Sequence, residues 1–345
     1  MHVEIENTIA VAGAPALPGL VFRRFRGPAD YPALTMTDNI SAEADGREWE
    51  ETLEGTTRYF EQPENWDPAQ DLIIAEVNGA MIGYVRGEWR REEGGDYRYP
   101  IHLALVPAWR GHGLQRAMLC WAEARLRQVA VGHPAGAPKQ FALGASQYAT
   151  GRIALLESEG YHVARYFNVM VRDLDEPIPD YSMPPGLELR PVLPEHIRPI
   201  WNATEDAFRD HWGYSPWPDA HYELWRNDQA TFQPELWQVA WDIATDEIAG
   251  EVQTFIDAVE NEKYGRRRGY SETIGVRRPY RRRGLARAMI AESLRTLKAR
   301  GMTQAALNVD SENLSGATRL YAECGFVTES YWLSYRKPLD GAPGA

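Results

Sequence analysis

The sequence predicts two tandem copies of one α+β domain, each a three-layer α/β arrangement in which helices flank a mixed, mostly antiparallel sheet. Three observations predict it. A strand, an Arg/Gly-rich turn and a helix occur at matched places in the two halves of the chain. Each half carries a hairpin before that unit, and a strand, a helix and a Gly-aromatic pair after it. A Pro- and acid-rich stretch separates the halves, and 345 residues suit about two domains.

The elements follow in order. Residues 1–18 form a lead-in without a basic segment ahead of an apolar core, so no secretory signal is read there, and loose order is expected. The first copy, residues 19–172, opens with a short strand pattern within Gly19 to Phe25; the second, residues 186–339, opens with one within Gly186 to Val192. In each, a polar segment at Pro28 or Pro194 starts a helix. The first hairpin runs Leu72 to Val77, turns at Asn78-Gly79 and returns to Val85, the strongest short hairpin signal. Its counterpart runs Trp237 to Trp241 and Ile248 to Val252. Then come His102 to Val106, the turn Arg110-Gly111-His112-Gly113 and a helix at Ala117; in the second copy, Thr273 to Val276, Arg281-Arg282-Arg283-Gly284-Leu285-Ala286 and a helix at Ala288. The closing pairs are Gly160-Tyr161 and Gly325-Phe326. Residues 173–185 read as an extended linker, and residues 340–345 as a frayed tail.

Composition narrows the function classes. Apolar residues make up 44% and charged residues 25%, as in ordinary globular proteins. No run approaches the roughly 18 apolar residues that span a bilayer, so no membrane partner is expected. Cys120 and Cys324 sit in separate helical patterns, which argues against a disulfide and for a reducing, cytoplasmic setting. A net charge of −12 argues against nucleic acid as a partner, despite the arginines at 266–268, 277–278 and 281–283. No metal site is expected, and the chain is expected to be a monomer or homodimer.

The basic turn of the second copy carries the chemistry. Gly284 and Ala286 let the backbone approach a ligand, and the first turn of the following helix exposes unpaired N–H groups with partial positive charge. Such a turn suits a pyrophosphate. Arg281 to Ala286 resembles the Arg/Gln-x-x-Gly-x-Gly/Ala signature of the GNAT superfamily of acetyltransferases. The stretch from Asn313 through Gly316 and Ala317 to Leu320-Tyr321, with Gly325-Phe326, resembles the same family's closing segment. The tandem form is similar to that of the mycothiol synthases, members with two copies of which one is catalytic.

The resemblance implies two GNAT-like domains and acetyl-CoA as donor, with a small-molecule amine as acceptor. By it, Arg281, Arg282, Arg283, Gly284, Leu285 and Ala286 would cradle the pyrophosphate, and Ile274, Gly275 and Val276 would pair with the pantetheine arm, with Asn313 and Gly316 beside it. Acyl transfer to an amine needs a base, and Glu272 is the candidate; His211 or a water are alternatives. Alternation of the strand puts Glu272, Ile274 and Val276 on one face. Tyr321 is the candidate acid for the leaving thiolate. His211, Trp212 and Tyr214, in an aromatic Gly/Pro-punctuated insert, are candidates for the acceptor pocket. In the first copy Gln115 stands at the position of Ala286, Ile101 at Glu272, Leu156 at Tyr321 and Tyr148 at Asn313. It is expected not to catalyse, and either binds CoA around Leu105, Arg110, Gly111 and Gly113 or serves as a scaffold. A protein or peptide N-acetyltransferase and a CoA-binding module without catalysis are the competing readings.

Overall fold

The computed structural model describes residues 7–48, 50–313 and 316–340. Residues 1–6 of the lead-in, Leu314 and Ser315 of the closing segment, and residues 341–345 of the tail lie outside the described residues. The chain divides into two compact units, Met1–Ala164 with Leu333–Ala345, and Arg165–Trp332.

The first unit contains β1 (Leu20–Arg23), α1 (Tyr31–Ala44), α2 (Leu53–Glu61), β2 (Leu72–Val77), β3 (Ala80–Gly87), β4 (Arg90–Arg91), β5 (Tyr97–Leu105), α3 (Leu114–Ala130), β6 (Lys139–Ser146) and α4 (Thr150–Ser158). Next is β7 (His162–Asp173), most of which belongs to the second unit. That unit adds β8 (Leu187–Arg190), α5 (Ile197–Phe208), α6 (Asp219–Arg226), β9 (Gln238–Asp242), β10 (Ile248–Phe255), α7 (Ala258–Tyr264), β11 (Arg268–Val276), α8 (Leu285–Ala299), β12 (Gln304–Asp310) and α9 (Ala317–Glu323). The final strand, β13 (Val327–Pro338), passes from the second unit into the first at Leu333.

The sheet order is β1-β2-β3-β5-β6-β13 in the first unit and β7-β12-β11-β10-β9-β8 in the second. β5–β6 and β11–β12 pair parallel, whereas β1–β2, β2–β3, β3–β5, β4–β5, β7–β12, β10–β11, β9–β10 and β8–β9 pair antiparallel. Each sheet is thus closed by a strand from the far end of the other copy's sequence. β7 pairs with β12 from Phe167↔Asp310 to Asp173↔Gln304. Leu333, Tyr335 and Leu339 enter the first core, and Lys337 Nζ bonds buried Glu123 at 2.8 and 3.0 Å. Boundaries at 172 and 186 follow chain order, whereas the compact units do not; alternating apolar residues specify a strand without specifying its partner.

The three layers follow from where alternate side chains go. In β2, Ile73 faces a core with Leu114, Met118 and Leu126 of α3, while Leu72 and Ile74 face Leu34 of α1 and Phe60 of α2. The second unit repeats this: Leu285, Met289, Leu294 and Leu297 of α8 fill one core, and Ile200 and Trp201 of α5 with Tyr222, Trp237 and Trp241 fill the opposite one. Each such fully buried aliphatic contributes about 1.5–3 kcal/mol. The Asn78-Gly79 turn has φ of 52° and 80°, as a tight two-residue hairpin requires. The described part of the lead-in is not loose. Ile9 N donates to Phe22 O at 2.8 Å and Val11 is buried, because its apolar residues cover the edge of β1. Both cysteines are free, and no helix among the described residues is long and apolar enough to cross a membrane.

Candidate active site

The second sheet forks. β11 and β12 pair from Arg268↔Gln304 to Tyr270↔Ala306 and then part. On its other side β11 pairs with β10 as Gly250↔Val276, Glu251↔Gly275 and Gln253↔Glu272, with a register shift between Glu251 and Gln253. β11 therefore spends one more residue than β10 there, a β-bulge, with Thr273 at φ 48°. The bulge cancels the alternation expected from the sequence. Glu272 shares the face of Gly275, Glu251 and Gln253, which α5 covers: Gln253 Nε2 donates to Thr204 Oγ1 at 3.3 Å. Ile274 and Val276 turn instead to the core around Met289 of α8.

The fork exposes backbone. Arg277 N donates to Ala249 O at 3.0 Å, which makes the neighbouring Gly250↔Val276 a non-hydrogen-bonded pair, so the Val276 N–H points away from β10. At the split, half-buried Glu272 Oε1 accepts from the Asn308 backbone at 3.0 Å and from its side-chain amide at 2.7 Å. Burial pushes the Glu272 carboxyl up to about 7, against the downward pull of those two bonds. Arg268, the cation nearest in sequence, instead pairs with Glu329 at 2.8 Å. Tyr270, two residues before Glu272, donates its hydroxyl to Glu260. Tyr321 is buried on α9, and burial first, then the charge of Glu272, raise its phenol well above the ordinary range.

The basic turn is held rigidly by part of its own signature. Arg281 Nε donates to Val276 O at 2.9 Å, and its other nitrogens reach Ala207 O at 3.0 Å and Asp210 at 2.6 Å. This guanidinium fastens the turn to the C-terminal end of α5, where carbonyls lack helical partners. Arg278 pairs with the same Asp210, and Arg283 with Pro185 O. Arg282 differs: it is exposed, sits at φ 62°, and makes no ion pair among the described residues. Gly284 caps α8 at φ 87°, aiming the first-turn amides outward.

Fork, turn and α9 enclose a cleft of about 780 Å³. Ile274, Gly275, Val276, Arg281, Arg282, Gly284, Leu285, Ala286, Asn313, Gly316 and Tyr321 all line it; Arg283 does not, and Glu272 stands outside the lining. Of the acceptor candidates only His211 lines the cleft, stacked on Phe208 at 4.2 Å. Trp212 lies against Phe167 and under the Arg165 guanidinium, and Tyr214 donates to Glu205 at 2.9 Å, which also accepts from Trp217 N. Those contacts pin the insert. No group of three or more potential metal ligands occurs among the described residues.

The corresponding cavity of the first unit, about 460 Å³, is lined by Arg110, Gly111, Gly113, Tyr148 and Arg152 among others, but not by Leu105. Arg110 repeats the role of Arg281, bonding Leu105 O at 3.1 Å, Asp45 at 2.6 Å and Ser41 O at 3.1 Å. The fork, however, is filled from within. Ser41 Oγ accepts from Leu105 N at 3.3 Å, and Arg152 Nη2 donates to Leu103 O at 2.7 Å. Matching Arg110 to Arg281 and α4 to α9 puts Ala207 at the place of Ser41 and Ala317 at the place of Arg152. The first copy also has no bulge: Gly83↔Leu105 leads without a shift to Arg86↔His102. By register His102, rather than Ile101, is the counterpart of Glu272, and the extra residue in β11 accounts for the difference. His102 Nε2 lies 2.8 Å from Asp38 Oδ1 and 3.0 Å from Tyr84 Oη.

Sequence reasoning missed Glu251, Asn308, Ser41 and Arg152; repetition between the copies, compared position by position in their helices, was the signal that held the last two.

Known proteins match this arrangement. The profile of the acetyltransferase (GNAT) family matches residues 40–135 and 199–326. A mycothiol acetyltransferase of Salinispora arenicola is 29% identical over 278 residues, covering 78% of this chain and 82% of its own. One from Geodermatophilus obscurus is 27% identical over 271 residues, with 78% and 82% covered. Among solved structures, a GCN5-related N-acetyltransferase from Sphaerobacter thermophilus superposes with a TM-score of 0.67 at 27% identity, over 94% of this chain and 96% of that one. A tandem GNAT protein from the clavulanic acid biosynthesis pathway shares the fold, with a TM-score of 0.66 at 14% identity over 94% and 99%. The family matches span more than half of the sequence and fall in both halves, and the chain belongs to the GNAT family of acetyltransferases.

Proposed function

We propose that the second copy transfers the acetyl group of acetyl-CoA to a primary amine of a small molecule, by direct attack within a ternary complex. The observation that carries this reading is the coincidence, in one cleft, of an amide-lined turn, an unpaired backbone edge and Tyr321, with Glu272 at the fork behind them.

Each part has a task. The amides from Arg282 to Ala286, the α8 dipole and the Arg282 charge would hold the pyrophosphate. The outward backbone of Ile274 to Val276 would receive the pantetheine arm as an added strand, with Asn313 and Gly316 across from it. The Val276 N–H would then face the thioester oxygen and favour the charge that develops on it. Glu272, poised at about 7, would take the proton of the acceptor ammonium, directly or through a water. As the amine attacks, the C–S bond breaks, and Tyr321, neutral because burial raises its phenol, would protonate the thiolate. The similarity to mycothiol acetyltransferases favours an amine on a thiol-bearing small molecule among the possible acceptors. The first copy supports this unit without repeating the reaction.

An acetyl-CoA screen with thiol detection tests the reading, using D-glucosamine, L-cysteine, spermidine, tobramycin and a short peptide as acceptors. Thiol release with one or more of the small amines is expected. Release with the peptide alone would move the assignment to protein N-acetylation, and release with none would leave a CoA-binding module. Tyr321→Phe is expected to keep acetyl-CoA binding while losing most of kcat.

A further inference from the structure

Glu251 is a fully buried carboxylate on the α5 face of the second sheet that the reaction above leaves unused. Its exposure is 0%, and neither of its oxygens meets a donor in hydrogen-bonding geometry among the described residues, although the Thr204 hydroxyl and the Arg277 charge beside it favour its ionised form. The neighbouring donors are committed elsewhere. Thr204 gives its proton to Ile200 O at 2.9 Å. The Arg277 guanidinium is shared between Asp206 at 3.1 Å and Ile248 O at 3.0 Å, with Glu247 at 3.6 Å. Next to it Gln253 is satisfied by Trp225 Nε1 and Thr204.

Only small residues separate Glu251 from the cleft. A Cβ on Gly275 would collide with Glu251 Oε1 and come within 3.3 Å of Ala207 Cβ, and both Gly275 and Ala207 line the cleft. The carboxyl therefore lies directly over a glycine of the cleft wall, on the same sheet face as Glu272.

The first copy shows what this place looks like when it has only a structural task. There the partners by register are Tyr84 for Glu251 and His102 for Glu272. Those two side chains touch at 3.0 Å, and Asp38 of α1 completes the set at 2.8 Å. Side chains at these two positions can thus meet across the strands. In the second copy the same positions hold two carboxyls, one of them unmatched inside the protein.

We propose that Glu251 is an acceptor-recognition residue, whose carboxyl receives a hydrogen-bond donor of the acceptor, a hydroxyl or a second ammonium, while Glu272 serves the reacting amine. The proposal rests on the acetyltransferase reading of this cleft. It selects acceptors with a donor group beside the reacting amine, such as amino sugars, aminocyclitols or diamines. Burial pushes the Glu251 carboxyl up to about 8, so it can present either a proton or a lone pair to such a group.

The test compares Glu251→Leu and Glu251→Gln with the unaltered protein, using the amine of the screen that gives the highest turnover. Glu251→Leu is expected to raise the acceptor KM about tenfold or more, the loss of one hydrogen bond at a buried site, with acetyl-CoA KM unchanged. It is also expected to raise the melting temperature, because an unmatched carboxyl leaves the interior. Recovery of acceptor KM in Glu251→Gln identifies a hydroxyl donor, and no recovery identifies an ammonium; both support the proposal. An unchanged acceptor KM in Glu251→Leu overturns it. If no amine of the screen reacts, the acetyltransferase reading fails on its own terms. Thermal unfolding then decides the proposal: a lower melting temperature in Glu251→Leu shows that the carboxyl has a structural task, and sinks it.

Discussion

Glu272 accepts two hydrogen bonds from one residue, Asn308, whose backbone N–H and side-chain amide converge on the same oxygen at 3.0 and 2.7 Å. The pair spans the point where β11 and β12 separate, so it braces the fork and at the same time sets the acidity of the proposed base.

A pH–rate profile reads that acidity. kcat/KM is expected to climb with an apparent pKa near about 7 as Glu272 loses its proton. Asn308→Ala removes the side-chain amide bond, one of the two that lower this value, and should move the limb to higher pH. Glu272→Gln should cost about 10²–10⁴ in kcat/KM, the usual contribution of a positioned base. An unchanged rate in Glu272→Gln would assign the base to another group.

Stability should follow the same titration in the opposite sense. The folded pKa of Glu272 is raised, so between the ordinary carboxylate range and about 7 the native state holds more protons than the unfolded chain. The Glu272 contribution to stability therefore falls as pH rises through that window and levels off above it, while buried Glu251 extends the fall to about 8. Chemical denaturation of Glu272→Gln should show a shallower fall than the unaltered protein.

Arg282 occupies a left-handed backbone position, φ 62°, where the first copy has Gly111 at φ 80°. A side chain there costs about 1–2 kcal/mol, which a glycine would return. Arg282→Gly is expected to raise the melting temperature and to weaken acetyl-CoA binding, as measured by calorimetric titration. Gly284→Val acts in the reverse direction: at φ 87° it strains the cap of α8 and puts bulk over the first-turn amides, so both stability and acetyl-CoA binding should fall.

The first fork should be openable. Ser41 and Arg152 occupy the Leu105 N–H and Leu103 carbonyl that an incoming pantetheine would need. One acetyl-CoA per chain is expected for the unaltered protein, and two for Ser41→Ala with Arg152→Ala. A stoichiometry of two without the substitutions would show that these side chains yield to the ligand.

How much of this was legible in sequence depended on range. The hairpin at Asn78-Gly79, the basic turns and the Gly-aromatic pairs depend on backbone preferences of a few adjacent residues, so a local reading finds them. The bulge at Thr273 does not. Threonine is β-branched and disfavours φ of 48°, so the conformation is imposed by the strands around it, and with it the face on which Glu272 emerges. Glu251 looks like the polar half of an alternating strand; its burial depends on α5 lying across that face. The sites of Trp212 and Tyr214 escaped for a similar reason, since aromatic residues that brace a loop and those that line a pocket have the same composition.

The closing strands carry a consequence for how the molecule is made. The first unit needs Leu333 to Leu339 to finish its sheet, so its folding on the ribosome must wait for nearly all of the rest to be synthesised. A protease cut in the linker would release two fragments that complement one another, neither a self-sufficient module. Having exchanged strands, the duplicated halves are bound to a common fate: the copy whose fork is blocked cannot be discarded without unravelling the one whose fork is open.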